Sequence, residues 1–130
     1  RGEILSLKWE YLTPGRDLAL IPETKNGHPR TIPLTDKAKR VIEKLNGQAE
    51  YLFPMTPNAF RLAWGRMMRR CEIDDLRFHD LRHEAVSRFF ERGLSIPEVA
   101  LISGHRDPRM LFRYTHLKPE DVAAKLKAVS

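Results

Sequence analysis

The chain has one cysteine, Cys71, in 130 residues. No internal disulfide can staple it, and a reducing compartment such as the cytoplasm is the expected setting. No apolar run approaches the length of about 20 residues that crosses a bilayer as a helix. A cationic leader with a small-residue cleavage site is also missing, so no membrane partner is expected. CxxC pairs are absent, as is a glycine-rich loop ending in Gly-Lys-Ser or Gly-Lys-Thr. Those absences remove the usual cysteine zinc frameworks and the phosphate cradle of ATP-dependent enzymes. Acids are in deficit, 17 against 23 Lys and Arg, which gives +6 and a pI near 9.8. That balance fits a chain that meets phosphates, without proving one. With 42% hydrophobic residues and neither repeats nor linkers, residues 1–130 read as a single domain with a real core.

"RGEILSLKW" brings Ile4, Leu5 and Leu7 with no N-cap ahead of them. It reads as the end of a helix already under way, and the chain as a piece of a longer protein. Short apolar runs at 9–11, 18–21 and 31–34 are separated by "TPG" and "TKNGH". They predict a small three-stranded antiparallel sheet near the N-terminus, with Lys25 at the tip of its second hairpin. From Thr35 onward the signals are helical: Thr35 and Thr56 as N-caps, Pro57 in a first turn, and a Ser95/Glu98 capping box. Asp107-Pro108 opens another short helix, and breaks fall at Gly93, Gly104 and near Lys118. The fold class is α+β, mostly α-helical.

The helix opened by Thr56 gathers Phe60, Ala63, Trp64, Met67, Met68 and Cys71 on one arc, which predicts core positions and an inert cysteine. Arg66, Arg69 and Arg70 take the other arc. They are either a solvated face or phosphate contacts for DNA, and the pattern leaves both open.

"HDLRH", residues 79–83, is harder to place. On a helix over 81–92, Leu81, Ala85, Val86, Phe89 and Phe90 define an apolar face, with Arg82 near its centre and His79 and His83 at its edge. A guanidinium there costs several kcal/mol unless paired or facing a polar cavity. One reading is an ion pair to Asp75 or Asp80 with hydrogen-bonded histidines. A zinc pair is a second, but a site wants three or four protein ligands, and an arginine among them repels a cation. The third is an anion: a planar fork of donors grips two phosphate oxygens while an imidazole donates to another.

Three further segments, "ISGH" at 102–105, "RYTH" at 113–116 and the hairpin "TKNGHPRTIPL", follow the expected order with "HDLRH" and "RGEILSLKW". Together they resemble the C-terminal catalytic domain of the tyrosine recombinases, the phage-integrase family, over almost the whole chain. That resemblance implies the family's fold and site-specific DNA recombination without metal, ATP or another cofactor. It makes Tyr114 the nucleophile that forms a 3′-phosphotyrosine. Arg82 and His105 bind the non-bridging oxygens, His79 assists proton removal, and Lys25 protonates the departing 5′-oxygen. Such a pocket suits a phenol, which ionises near pH 10 in water and needs cations and a proton acceptor to attack near neutrality. Double-stranded DNA is the implied partner, with a homotetramer on DNA in the full-length protein. His83 is expected to be structural, and His28 and His116 to have surface roles.

The family's first motif sets an arginine three residues before an acid, here Glu3, so that arginine falls one position before Arg1. A 130-residue piece is therefore expected to be severely impaired in cleavage. Ser103 replaces the apolar residue common in relatives, a change expected to matter little. The tail "KPEDVAAKLKAVS" spaces Val122, Ala123, Leu126 and Val129 on one helix face, to pack on its own core or on a neighbouring protomer. A DNA-binding module without catalysis and a type IB topoisomerase are the competing functions.

Overall fold

Threonine and serine hydroxyls start three of the helices. Thr35 Oγ1 accepts from Ala38 N at 3.1 Å, Thr56 Oγ1 from Ala59 N at 3.0 Å, and Ser95 Oγ from Glu98 N at 3.3 Å. Each satisfies a backbone donor that has no partner within its own helix. The structure, a computed structural model, describes residues 2–22, 29–45, 47–115 and 117–130. Its contacts gather into two units, Arg1–Glu84 and Ala85–Ser130.

In the first unit α1 (Gly2–Leu5) leads to a 3₁₀ turn at Trp9–Tyr11, then β1 (Leu18–Ile21), β2 (Arg30–Pro33), α2 (Asp36–Glu43) and α3 (Pro57–Arg70). β1 and β2 are antiparallel, with Leu18 opposite Pro33 and Ile21 opposite Arg30. Alternation buries Ala19 and Ile21, which join Ile42 and Leu52 as the buried apolar residues of this unit. Among the described residues the sheet has two strands, not the three expected. Residues 9–11 form the 3₁₀ turn because single bridges pin the chain on either side of it, Lys8 to Tyr51 and Leu12 to Ala19. Two isolated pairings leave no continuous ladder between them.

Helix α3 departs from its expected arc at its end. Phe60, Ala63, Trp64 and Met68 are half-buried, but Met67 and Cys71 are exposed. Cys71 is the C-cap residue, one step past the last helical turn, so helical periodicity no longer aims its side chain. Glu72 follows with φ 57°, turning the chain away.

Helix α4 (Asp80–Glu91) runs from the first unit into the second, which continues with α5 (Ile96–Ser103), a 3₁₀ segment at Pro108–Tyr114 and α6 (Pro119–Val129). Val86, Val99 and Leu111 are buried at its centre, with Phe89, Phe90, Leu94, Ile96, Ala100 and Tyr114 packed around them. Burying each of those three contributes about 1.5–3 kcal/mol. Leu81, expected on the apolar face of α4, is 42% exposed, and Arg82 is half-buried. No charged residue is fully buried among the described residues, so Arg82 escapes the full desolvation cost inferred from the helical wheel.

Candidate active site

The approach to "HDLRH" is set by aromatic packing. Phe78 meets Phe60 and Trp64 of α3 edge-on, with centroids 4.8 and 5.5 Å apart, and Trp64 Nε1 donates to Leu76 O at 3.3 Å. These contacts fix the loop between α3 and α4 one residue before His79. Asp80 Oδ2 then accepts from Arg77 N at 2.9 Å and closes the first turn. His79 is exposed, His83 half-buried, and their rings meet edge to face at 5.4 Å. No group of three or more His, Cys, Asp or Glu side chains is arranged to hold a metal among the described residues.

Also in the first unit, Glu3 and Arg30 form a bidentate pair. Arg30 Nη1 donates to Oε2 at 2.8 Å and Nη2 to Oε1 at 3.1 Å. The pair ties α1, the start of the first motif, to the base of the β1–β2 hairpin. Lys25 belongs to the connection between those strands and lies outside the described residues, as do Arg1, His28 and His116. Arg66, Arg69 and Arg70 are exposed on α3. A cavity of about 620 Å³ lined by Gly2, Leu5, Ser6, Tyr51, Phe53 and Met55 contains none of the expected site residues.

The second unit carries His105 and Tyr114. Helix α5 ends in Gly104 at φ 79°, a left-handed position that suits glycine, and Gly104 N donates to Ala100 O at 2.9 Å. The turn folds His105 back toward the helix end, where Ser103 Oγ and His105 Nδ1 lie 2.6 Å apart. Asp107 caps the following 3₁₀ segment by accepting from Arg109 N at 3.0 Å. Its carboxylate also receives the Arg109 side chain, which with the backbone contact holds its pKa below the usual value. Leu111 roots the segment in the core, and Tyr114 at its end stacks on Phe90 with centroids 6.3 Å apart. Arg113 Nη2 donates to Tyr114 Oη at 3.0 Å, and its guanidinium lies 4.9 Å from the ring centroid.

His79 and Arg82 thus belong to the first unit, and His105 and Tyr114 to the second. Sequence reasoning gave no role to three residues that contact expected motif or site residues: Arg30 on Glu3, Ser103 on His105, and Arg113 on Tyr114. Arg30 left a trace as a cation in register with half-buried Ile32 on one strand face, and Ser103 stood out only as a polar residue expected to matter little.

The profile of the phage integrase family matches residues 1–121. The chain belongs to that family. The shufflon-specific DNA recombinase of Escherichia coli is 47% identical over 98% of this chain and 34% of its own length. The integrase of Salmonella phage P22 is 27% identical over 99% of the chain and 38% of its own length. The chain therefore spans about a third of the length of these curated relatives. Among solved structures, the catalytic domain of bacteriophage HP1 integrase superposes with TM-score 0.69 at 26% identity, covering 97% of this chain and 71% of that one. XerA recombinase gives 0.72 at 16% identity, covering 98% and 52%. A Tn1549 transposon integrase bound to circular-intermediate DNA gives 0.73 at 18%, covering 100% and 54%. The mostly helical fold with a small antiparallel sheet is the fold of these integrase-family catalytic domains. None of the described helices is long and apolar enough to cross a membrane.

Proposed function

We propose that residues 1–130 are the greater part of one catalytic domain of a site-specific DNA recombinase, which cuts and rejoins duplex DNA through a 3′-phosphotyrosine. One observation carries this reading: the ordered set Lys25, His79, Arg82, His105 and Tyr114 is intact within a chain matched by the family over residues 1–121. Tyr114 Oη attacks the scissile phosphorus, and its proton passes toward His79. The bond from phosphorus to the 5′-oxygen breaks, and Lys25 supplies the proton that leaves a 5′-hydroxyl. Arg82 and His105 donate to the non-bridging oxygens, where charge accumulates in the transition state. The reaction reverses when a 5′-hydroxyl attacks the phosphotyrosine, so bond energy is conserved without ATP. In this scheme fixed cations take the role that a metal plays in other phosphoryl transfers.

A homotetramer on DNA assembles the exchange in the full-length protein. Arg66, Arg69 and Arg70 contact the duplex backbone. The test is DNA inversion or excision by the native-length protein and by its Tyr114→Phe variant. Loss of recombination with DNA binding retained supports the enzyme. Unchanged recombination excludes it, and relaxation of plasmid lacking any specific site favours a topoisomerase.

A further inference from the structure

The hydrogen bond between Ser103 and His105 gives a residue outside the family's catalytic set a direct link to the phosphate-binding groups. Resting on the function proposed above, we infer that Ser103 is a positioning residue. Its hydroxyl donates to His105 Nδ1 and thereby keeps a proton on Nε2, the nitrogen that meets the DNA phosphate. The two atoms are 2.6 Å apart, and both side chains are half-buried in the second unit.

The local fold leaves this pair little freedom. Ser103 is the last residue of α5, Gly104 turns the chain through the left-handed region at φ 79°, and His105 returns over the helix end. A neutral imidazole has one N–H and one bare nitrogen, and the partner of one nitrogen decides which is which. With the serine O–H donating to Nδ1, the neutral ring must carry its proton on Nε2. When the ring is doubly protonated the hydrogen bond reverses, Nδ1–H donating to Oγ, and Nε2 still bears a proton. In both states His105 offers an N–H to a phosphate oxygen. The opposite tautomer presents a bare lone pair, which repels that oxygen. An apolar side chain at position 103 exerts no such choice.

The experiment uses the native-length protein labelled with ¹⁵N at histidine, with the His105 signals assigned by their loss in His105→Gln. At alkaline pH, where the ring is neutral, the imidazole nitrogen shifts of the DNA-free wild type are expected to report the Nε2–H tautomer. Ser103→Ala is expected to mix the two tautomers and to slow single-turnover cleavage by roughly tenfold, as losing an orienting partner does for other functional histidines. DNA affinity should stay within about twofold, and Ser103→Thr, which keeps the hydroxyl, should restore both tautomer and rate.

A wild-type ring that carries its proton on Nδ1 overturns the inference, and this readout needs no variant to fold. So does a Ser103→Ala protein with wild-type tautomer and rate. If His105→Gln itself cleaves normally, the recombinase site fails with it. If His105→Gln is inactive while Ser103→Ala is indistinguishable from wild type, only the role of Ser103 fails.

Discussion

Arg30 and Glu3 show how much one strand position decides. With the arginine side chain 13% exposed and the carboxylate 35%, two parallel charge-assisted hydrogen bonds contribute about 1–3 kcal/mol. Glu3→Gln is expected to lower the unfolding free energy by about that much in a urea titration with unchanged slope. A decrease under roughly 0.5 kcal/mol would reduce the pair to an ordinary surface ion pair. The resemblance reads Glu3 only as the acid of the first motif, and nothing in the motif itself points to Arg30. What does is the alternation of β2, which sets residues 30 and 32 on one half-buried face. Cys71 misled for another reason. A helical arc predicts burial only while the helix lasts, and α3 ends at Arg70.

At the scale of the element, the segment from α5 to Tyr114 is built from caps and one buried leucine. Leu111→Ala is expected to cost about 2–5 kcal/mol by chemical denaturation. Met110→Ala beside it, at a side chain 55% exposed, should stay within about 0.5 kcal/mol. Equal destabilisation by the two would contradict the burial of Leu111 as the anchor of this segment. The caps also confer a pH dependence. The backbone N–H of Ser95, then its side chain, holds Glu98 below its ordinary 4.5, and Arg109 holds Asp107 below 3.8. These carboxylates bind protons less readily folded than unfolded, so their contribution is fully present above about pH 4.5 and falls away in more acidic solution. Denaturation at about pH 6 and about pH 3 should show that decline, with a smaller difference in Asp107→Asn. The caps, glycine breaks and capping box were legible because each is a local bond between residues two to four apart. The third strand was not, because bridges to Ala19 and Tyr51 decide how residues 9–11 sit.

For the whole molecule, the proposed function together with a charge of +6 predicts DNA affinity that falls steeply with salt. The slope of log affinity against log salt changes by about 0.9 for each phosphate that the protein no longer neutralises. Replacing Arg66, Arg69 and Arg70 together by alanine in the native-length protein is expected to reduce that slope by about 2–3, and an unchanged slope would leave them a solvated face. At this scale the family was legible from five short motifs in order, although neither charge nor periodicity alone separated phosphate from metal or a simple ion pair at "HDLRH". The proposed function requires that Tyr114 become covalently attached to DNA. The most direct measurement incubates the native-length protein in EDTA with nicked duplexes from the parent element's ends, then seeks an adduct that survives denaturant and maps by mass spectrometry to one peptide. The expected result is a 3′-phosphate on Tyr114, absent from Tyr114→Phe. An adduct on another residue, or cleavage that persists in Tyr114→Phe, would contradict the account.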